Sequence, residues 1–534
     1  MGFGNVEGQT YDYIIVGTGP AGSVIANQLS NGNQNAVLVL EAGDNDSKKR
    51  LVRESKFAIP ILLFQDFAPE FYIPGHGIPQ KNVGGRTFPW TGGRLLGGGS
   101  SVNNQQYVRP SAAVMQEWEN LMGPIWSPKE ETRRFAELEN YNGATTNPEA
   151  RGTNGRLDIR QTQVHPTNMT KKFTSAISQA TGFPEILDYN DPDTPLGPFK
   201  SYQLYQFPDG IRESADSAFL SSDVMTANGQ GVNGRKLQVS FRSTVTRVLF
   251  DQNKAVGVEY IKDGNCVRAF ARKKVILSAG ISSVPILMHS GIGDANLLQK
   301  HGIPVIFNNP NVGMHYADHP FVEAIFTTNP NDHVSPENDP NSLYAGGGFL
   351  PNPTPGSNQS RRGVQMFVMG APNCTVAVGA ILLQPGSRGS AIIQDNDPLK
   401  VVLGDQGYLT DPADLETFKH IYRVYIKGVA EKMAKIDPSY QLVSPSLDII
   451  NNDAKLEQYI KDNLGHGFHP QSMLRMGPNP QTGVVDAKGH VYGVNNLVVA
   501  DDTIIPYTVD GNTSAPSFFI GATIAEQLLA DEGR

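Results

Sequence analysis

The spacing of apolar positions changes along this chain, and the changes predict its elements. Near the start an unbroken run, Tyr13-Ile14-Ile15-Val16, reads as a strand buried on both faces. Apolar residues then recur at helical spacing through Ile25 and Leu29, and a second unbroken run follows at Val37-Leu38-Val39-Leu40. Strand, helix and strand over so short a length is the pattern of a parallel βαβ unit. Elsewhere the period is two. Leu237–Gly264 alternates apolar and polar residues and turns at Asp251-Gln252-Asn253, which predicts a hairpin-like strand pair. Residues 381–403 alternate as well, as in an antiparallel sheet with one solvated face. Leu415–Ile436 spaces its apolar residues by three and four, so an amphipathic helix is expected. Residues 55–95 are rich in aromatics, Pro and Gly without a sustained period, and read as an ordered excursion covering a site.

Between the first run and its helix stands Gly17-x-Gly19-x-x-Gly22. Gly17 permits the tight turn, Gly19 lets a pyrophosphate approach the backbone, and Gly22 lets helix and strand pack closely. The helix N-terminus offers unpaired N–H groups and partial positive charge to phosphates. Glu41 ends the second run nineteen residues after Gly22, where a carboxylate accepts hydrogen bonds from ribose hydroxyls. The order predicts a site for the ADP part of a dinucleotide, drawn from Gly17, Thr18, Gly19, Ala21, Gly22, Glu41 and Ala42. FAD and NAD both satisfy it.

Composition narrows the partners. A chain of 534 residues has room for two or three domains, and 39% hydrophobic content is compatible with well-filled cores. A net charge of −8 without a basic block disfavours nucleic acid or an anionic membrane surface. No apolar run reaches the roughly 18 residues that cross a bilayer; Phe57–Phe64 and Val376–Leu383 are short and broken by Pro60 and Gly379. Cys266 and Cys374 are too few for a disulfide framework or metal cluster. His315 and His319, four apart, suggest a metal pair, but no third ligand stands nearby and no metal is expected. Compartment is undecided, since five glycosylation sequons in an Asn-rich chain say little.

A second glycine cluster, Gly97-Gly98-Gly99, precedes Ser100, Ser101, Val102 and Asn103, placing backbone N–H groups beside a bulky ligand with Ser and Asn side chains as further donors. The pattern Gly93-Arg94-x-Leu96-Gly97-Gly98-x-Ser100-x-x-Asn103, continuing to Tyr107-x-Arg109, resembles the first signature of the glucose–methanol–choline (GMC) family of FAD oxidoreductases. Gly280-x-x-Ser283-x-x-x-Leu287-x-x-Ser290-Gly291-Ile292-Gly293 is similar to its second signature. Asn311–Pro320, Pro385–Ser390, Tyr408–Leu415, Phe468–Gly477 and Val499–Pro506 are similar in family order, so the resemblance spans essentially the whole chain. It implies a mixed α/β fold: a doubly wound Rossmann-like FAD domain over 1–160, 231–320 and 478–534, and a substrate domain with an antiparallel sheet over 161–230 and 321–477. It also implies FAD contacts from Arg94, Gly98, Ser100, Asn103, Asp501, Asn512 and Thr513, with the backbone near Val245 against the adenine.

Oxidising an alcohol through a flavin removes a proton from oxygen and a hydride from carbon, the hydride going to N5. The proton needs a base with a pKa near working pH, for which imidazole is suited. By the resemblance His469 occupies the position of that base, and Asn512, forty-three residues on, the second catalytic position. Phe468 is expected to line the substrate pocket, His466 is a candidate substrate donor, and the aromatics around Phe64–Tyr72 and Trp90 are expected to cover it. Two departures stand out. The family usually reads His-Pro-x-Gly-Thr after the base, whereas Gln471-Ser472-Met473 follows Pro470 here. Relatives with covalent flavin can carry a histidine just before the signature asparagine; Val102 stands there, so the FAD is expected to be non-covalent. The expectation is oxidation of an apolar or aromatic primary alcohol, with O2 as the acceptor. Dehydrogenase action with a quinone-type acceptor, a hydroxynitrile lyase with non-redox FAD and a non-enzymatic flavoprotein stay open.

Overall fold

A computed structural model describes residues 8–45, 49–54, 68–162, 166–332, 344–371, 375–400 and 402–534. The two apolar runs form β1 (Thr10–Val16) and β2 (Val37–Leu40), joined by α1 (Pro20–Ser30). They pair in parallel with Val16 opposite Leu40. Around them lie β3 (Leu237–Ser240), β4 (Ser243–Asp251), β5 (Lys254–Lys262) and β6 (Asn265–Leu277), in the order β3-β2-β1-β6-β5-β4. The predicted hairpin over Leu237–Gly264 is β4 and β5 alone. Leu237–Ser240 instead pairs in parallel with β2, and the chain breaks direction at Arg242, whose φ is +50°. Periodicity of two marked the strands but could not tell one strand from two.

The long strand β6 does two jobs. Its first half runs antiparallel to β5, while Val275–Leu277 runs parallel to β1. Sheet A (our name for this sheet) has its carboxyl edge where Val16, Leu40 and Leu277 stand in register.

A second seven-stranded sheet, sheet B, is antiparallel throughout. Its middle is β7 (Pro320–Thr327), β8 (Gly347–Leu350), β9 (Val364–Ala371) and β10 (Thr375–Leu382), in the order β7-β10-β9-β8, with Leu442–Ser444 and Gly197–Phe199 at the edges. The alternation over residues 381–403 is shared between two sheets: β10 ends at Leu382, while Gly389–Ile392 and Leu403–Asp405 join a separate four-stranded sheet. The predicted helix is continuous over 412–436, with a wider π-type turn at Ile421–Ile426, and packs Phe418, Tyr422, Val429 and Met433 into the sheet B core. Aliphatic residues of sheet A and its helices form a separate core. β11 (Gly465–His466) pairs with β7, with His466 opposite Pro320. β12 (Leu497–Val499) completes sheet A beside β6, with Val499 opposite Leu277, so Gly17, Glu41, Ser278 and Asp501 gather at one edge, the end at which doubly wound sheets bind ligands. α2 (Ser514–Ala530) follows.

Candidate active site

A cavity of about 880 Å³ runs from the carboxyl edge of sheet A to the face of sheet B. The three glycines of the first turn divide their work as expected. A Cβ on Gly17, at φ +98°, would lie 2.5 Å from Ser278 O, and one on Gly22 would lie 2.2 Å from Gly17 O. A Cβ on Gly19 would meet nothing within 4 Å, so its backbone faces open space. Gly17, Thr18, Gly19 and Ala21 line the cavity, and Gly22 packs beneath it.

Glu41 is buried and clamps this turn. Thr18 N–H and Oγ1–H donate to its Oε2 at 3.1 and 2.6 Å, and Gly43 N–H donates to Oε1 at 2.8 Å. Burial pushes its carboxyl up from the ordinary value despite these donors. Gly97 N–H donates to Thr18 Oγ1 at 3.2 Å, so one hydroxyl ties the two glycine clusters together. Gly98, Ser100, Asn103, Ala42, Arg94 and Val245 all line the cavity, as the sequence predicts. Ser100 departs from its expected role as a ligand donor: its hydroxyl donates to Gly97 O at 2.6 Å and accepts from Ala215 N–H, shaping the loop instead. Asn103 is held by the fully buried Arg212, whose guanidinium donates to Asn103 Oδ1 and O and to Ser100 O. Nothing in the sequence pattern pointed to Arg212.

Asp501 accepts from Ser283 Oγ at 2.7 Å and Gly280 N–H at 2.9 Å, joining the second family-like stretch to the end of β12; burial pushes it up to about 6. Asp502 was not anticipated. Burial pushes it up to about 8, and its Oδ1 is buried without a partner. Ser278 Oγ, Asn512 Oδ1, Ser514 Oγ and Asn104 Oδ1 are orphaned in the same way, and all five residues line the cavity with Thr513. Orphaned buried polar atoms around an open backbone turn fit a large polar cofactor. Val102 is buried beside them.

At the sheet B side the pairing of β11 with β7 brings His469 against His319. His319 Nε2 lies 2.9 Å from Val509 O, a group that only accepts, so Nε2 carries the proton. Neutral His319 then presents a bare Nδ1, 2.9 Å from His469 Nδ1, which must donate. This leaves the lone pair of His469 on Nε2, where Asn512 Nδ2 donates at 3.0 Å. Burial holds His319 down at about 4 and His469 well below the ordinary imidazole value, with the neighbouring His319 and His466 adding to the second shift. Asp318 Oδ1 accepts the backbone N–H of both His319 and His469, and Tyr408 OH donates to its other oxygen at 2.6 Å. His319 therefore sits beside the candidate base, a place its spacing from His315 did not reveal.

Phe468 lines the cavity at φ +57°, with its ring 3.9 Å from that of His466, which lines it too. His466 lies on β11, and burial lowers its pKa. Ser472, at the position where the family usually has Gly, adopts φ +75°, so the left-handed turn persists without the glycine. Tyr72 and Trp90 line the cavity; Phe64 lies outside the described residues.

A dinucleotide cradle opening onto a neutral histidine defines the class, a nucleotide-cofactor oxidoreductase. The chain belongs to the GMC oxidoreductase family: profiles of its two parts match residues 11–321 and 385–521. It is 30% identical to an uncharacterized GMC-type oxidoreductase of Mycobacterium tuberculosis, over 97% of this chain and 99% of that one. Human mitochondrial choline dehydrogenase is 29% identical, with 98% and 90% covered, and an alcohol dehydrogenase [acceptor] of Pseudomonas putida is 29% identical, with 97% and 96% covered. In fold it is similar to pyridoxine 4-oxidase from Mesorbium loti, with a TM-score of 0.85 at 23% identity over 97% and 99% of the chains. A fungal aryl-alcohol oxidase follows at 0.83 and 19%, over 98% and 99%. The protein is a FAD-dependent oxidoreductase of a family that acts on alcohols.

Proposed function

We propose that the protein oxidises a primary alcohol to the aldehyde, with His469 as the base and O2 as the terminal acceptor. The observation that carries this reading is the bare Nε2 of His469, turned into the cavity by His319 and matched by an amide donor. Bound FAD supplies the acceptor for the two electrons. Gly17–Ala21, Glu41, Ala42, Arg94, Gly98, Asn103, Val245, Asp501 and Thr513 would hold it, on sheet A and the elements assigned to the discontinuous FAD domain. Val102, having no nucleophile, leaves it unlinked.

An alcohol entering between His469 and Asn512 replaces their mutual hydrogen bond. Its hydroxyl donates to Nε2 while its oxygen accepts from Asn512 Nδ2–H. As the C–H bond weakens, Nε2 takes the proton and Asn512 steadies the developing alkoxide. Nδ1–H stays directed at His319, so the imidazolium does not turn. Phe468 and His466 form the wall beside the base, and Phe321, Phe367 and Ile381 continue it on sheet B.

Anaerobic mixing of the FAD-loaded protein with a panel of primary alcohols tests this by flavin absorbance. Bleaching, followed by recovery on admitting air, is the expected result. Recovery only with a quinone would replace O2 as acceptor, and no bleaching by any alcohol would remove the redox reading.

A further inference from the structure

We infer that His315, Arg388 and Arg475 form an anion site outside the cavity, and that its ligand is a phosphate group, free or carried on a small organic molecule. The inference goes beyond the alcohol-oxidising reading and does not depend on it.

Backbone pairing brings these residues together from distant parts of the sequence. The short strand Met314–Tyr316 lies between two neighbours. On one side it pairs with Gly389–Ile392, the segment directly after Arg388, with Met314 opposite Ser390 and Tyr316 opposite Gly389. On the other side Gly313 N–H donates to Met473 O at 2.9 Å, and Ala317 bridges Gln471, in the segment that leads to Arg475. His315 is the extra residue of a β-bulge in the first pairing and holds φ +63°. Bulges re-aim side chains, and a left-handed backbone at a residue other than glycine persists only where its surroundings impose it. Arg388 Nη2 donates to Thr508 Oγ1 at 3.1 Å, so the segment carrying the exposed Tyr507 closes the group. None of His315, Arg388, Arg475 and Tyr507 lines the cavity.

The group is cationic and lacks a counter-charge. Apart from Thr508, Arg388 donates only to Pro385 O and Ser387 O, and Arg475 donates only through Nε, to Thr482 O. Among the described residues no carboxylate pairs with either guanidinium, and the His315 ring has no hydrogen-bond partner. The carboxylates nearest Arg388 are engaged in their own loop: Asp414 accepts from Gly386 and Ser387 N–H, and Asp411 from Ala413 N–H. Burial lowers the pKa of both guanidiniums, and it holds His315 at about 4, with Arg475 and Arg388 adding to that shift. Neighbouring positive charges that are partly withdrawn from water are costly to hold without an anion. The Nη groups of Arg475, the Arg388 fork and an imidazole N–H come from three segments. They offer more donors than a carboxylate can use and suit a doubly charged tetrahedral oxyanion.

The test uses FAD-saturated holoprotein, so that the cofactor's own phosphate contacts are filled. Inorganic phosphate, phenyl phosphate, acetate and chloride are titrated at constant ionic strength into the wild-type protein, Arg475→Gln and His315→Gly. Calorimetry reads the Kd, and the thermal midpoint is followed in parallel. The wild-type protein is expected to bind phosphate saturably with a rise in midpoint, and each variant to bind it about tenfold or more weakly. Glycine suits φ +63°, so His315→Gly removes the imidazole without straining the backbone, and it decides alone if Arg475→Gln does not fold. Tighter binding of phenyl phosphate than of phosphate assigns the site to a phosphorylated organic ligand; equal or weaker binding assigns it to free phosphate, and both uphold it. Three results overturn the inference: no saturable phosphate effect beyond that of chloride, acetate bound as tightly as phosphate, or phosphate binding unchanged in His315→Gly.

Discussion

His319 and His469 meet through their Nδ1 atoms at 2.9 Å, and the contact has only one consistent proton assignment. Because Val509 O fixes the proton of His319 on Nε2, the shared proton belongs to His469. Side chains alone leave an imidazole free to be either tautomer; here a backbone carbonyl two hydrogen bonds away decides it.

His319 is therefore a positioning residue whose removal acts through the base. In His319→Ala, flavin reduction is expected to slow by about 10–100-fold, with KM changing less than kcat. The acid limb of the rate should also move to higher pH, because a polar cavity in place of the ring relieves the burial of His469. His319→Asn, whose Oδ1 can accept from Nδ1–H, should recover part of the rate. A loss of folded protein with the surviving fraction fully active would show that His319 only packs.

Removing the base itself has a different signature. His469→Ala should slow anaerobic flavin reduction by about 10²–10⁴-fold with FAD still bound, and Asn512→Ala should cost less because it removes a donor and leaves the proton acceptor. The pKa of His469 is lowered by burial and by His319 and His466, so the neutral, proton-accepting form already dominates at pH 7. The reduction rate should be flat above about pH 6.5 and fall only below it. A stopped-flow series across pH checks this; an unchanged acid limb in the alanine variant would move the role of base elsewhere, with His466 next in line.

How much of this was legible in the sequence depends on whether the cause was local. The βαβ unit, its glycines and Glu41 lie within one short stretch, where period and turn chemistry leave few alternatives, and they sit in the structure as read. The split of Leu237–Gly264 between opposite edges of sheet A was not legible, because alternation reports a solvated face and not a partner. Nor was the place of His319, which lies 150 residues from His469 and meets it through the pairing of β11 with β7. Ser100 was read as a ligand donor because serine beside glycines is generic; which partners its hydroxyl meets depends on the Gly97 carbonyl it donates to and the Ala215 N–H it accepts from. Asp502 and Arg212 owe their interest to burial, which a polar residue does not announce.

Glu41 is expected to matter even before FAD binds. Glu41→Ala leaves Thr18 N–H, Thr18 Oγ1–H and Gly43 N–H without their acceptor, each a loss of about 1–3 kcal/mol if no water replaces it. The apoprotein should melt at lower temperature than wild-type apoprotein, and the variant should release FAD faster on gel filtration. Thr18→Val should reproduce part of both effects, since it removes the link to Gly97. A variant with normal apoprotein stability and weak FAD retention would confine Glu41 to the ligand.

Ser472→Gly should stabilise the protein. Ser472 holds φ +75°, a conformation that costs an L-residue about 1–2 kcal/mol. Its hydroxyl is buried without a partner, a further cost of about 1–3 kcal/mol. Against these stands the extra freedom of glycine in the unfolded chain, about 0.5–1 kcal/mol. The backbone N–H donates to Asp502 O at 3.2 Å, and glycine keeps that bond. The balance favours glycine by about 1–4 kcal/mol. For a chain of this length the unfolding entropy makes that a rise of about 1–4 °C in the thermal midpoint. Scanning calorimetry of both proteins saturated with FAD reads the shift. A lower midpoint would mean that the Ser472 hydroxyl holds a partner worth more than the strain, such as a bound water linking the base loop to Asp502.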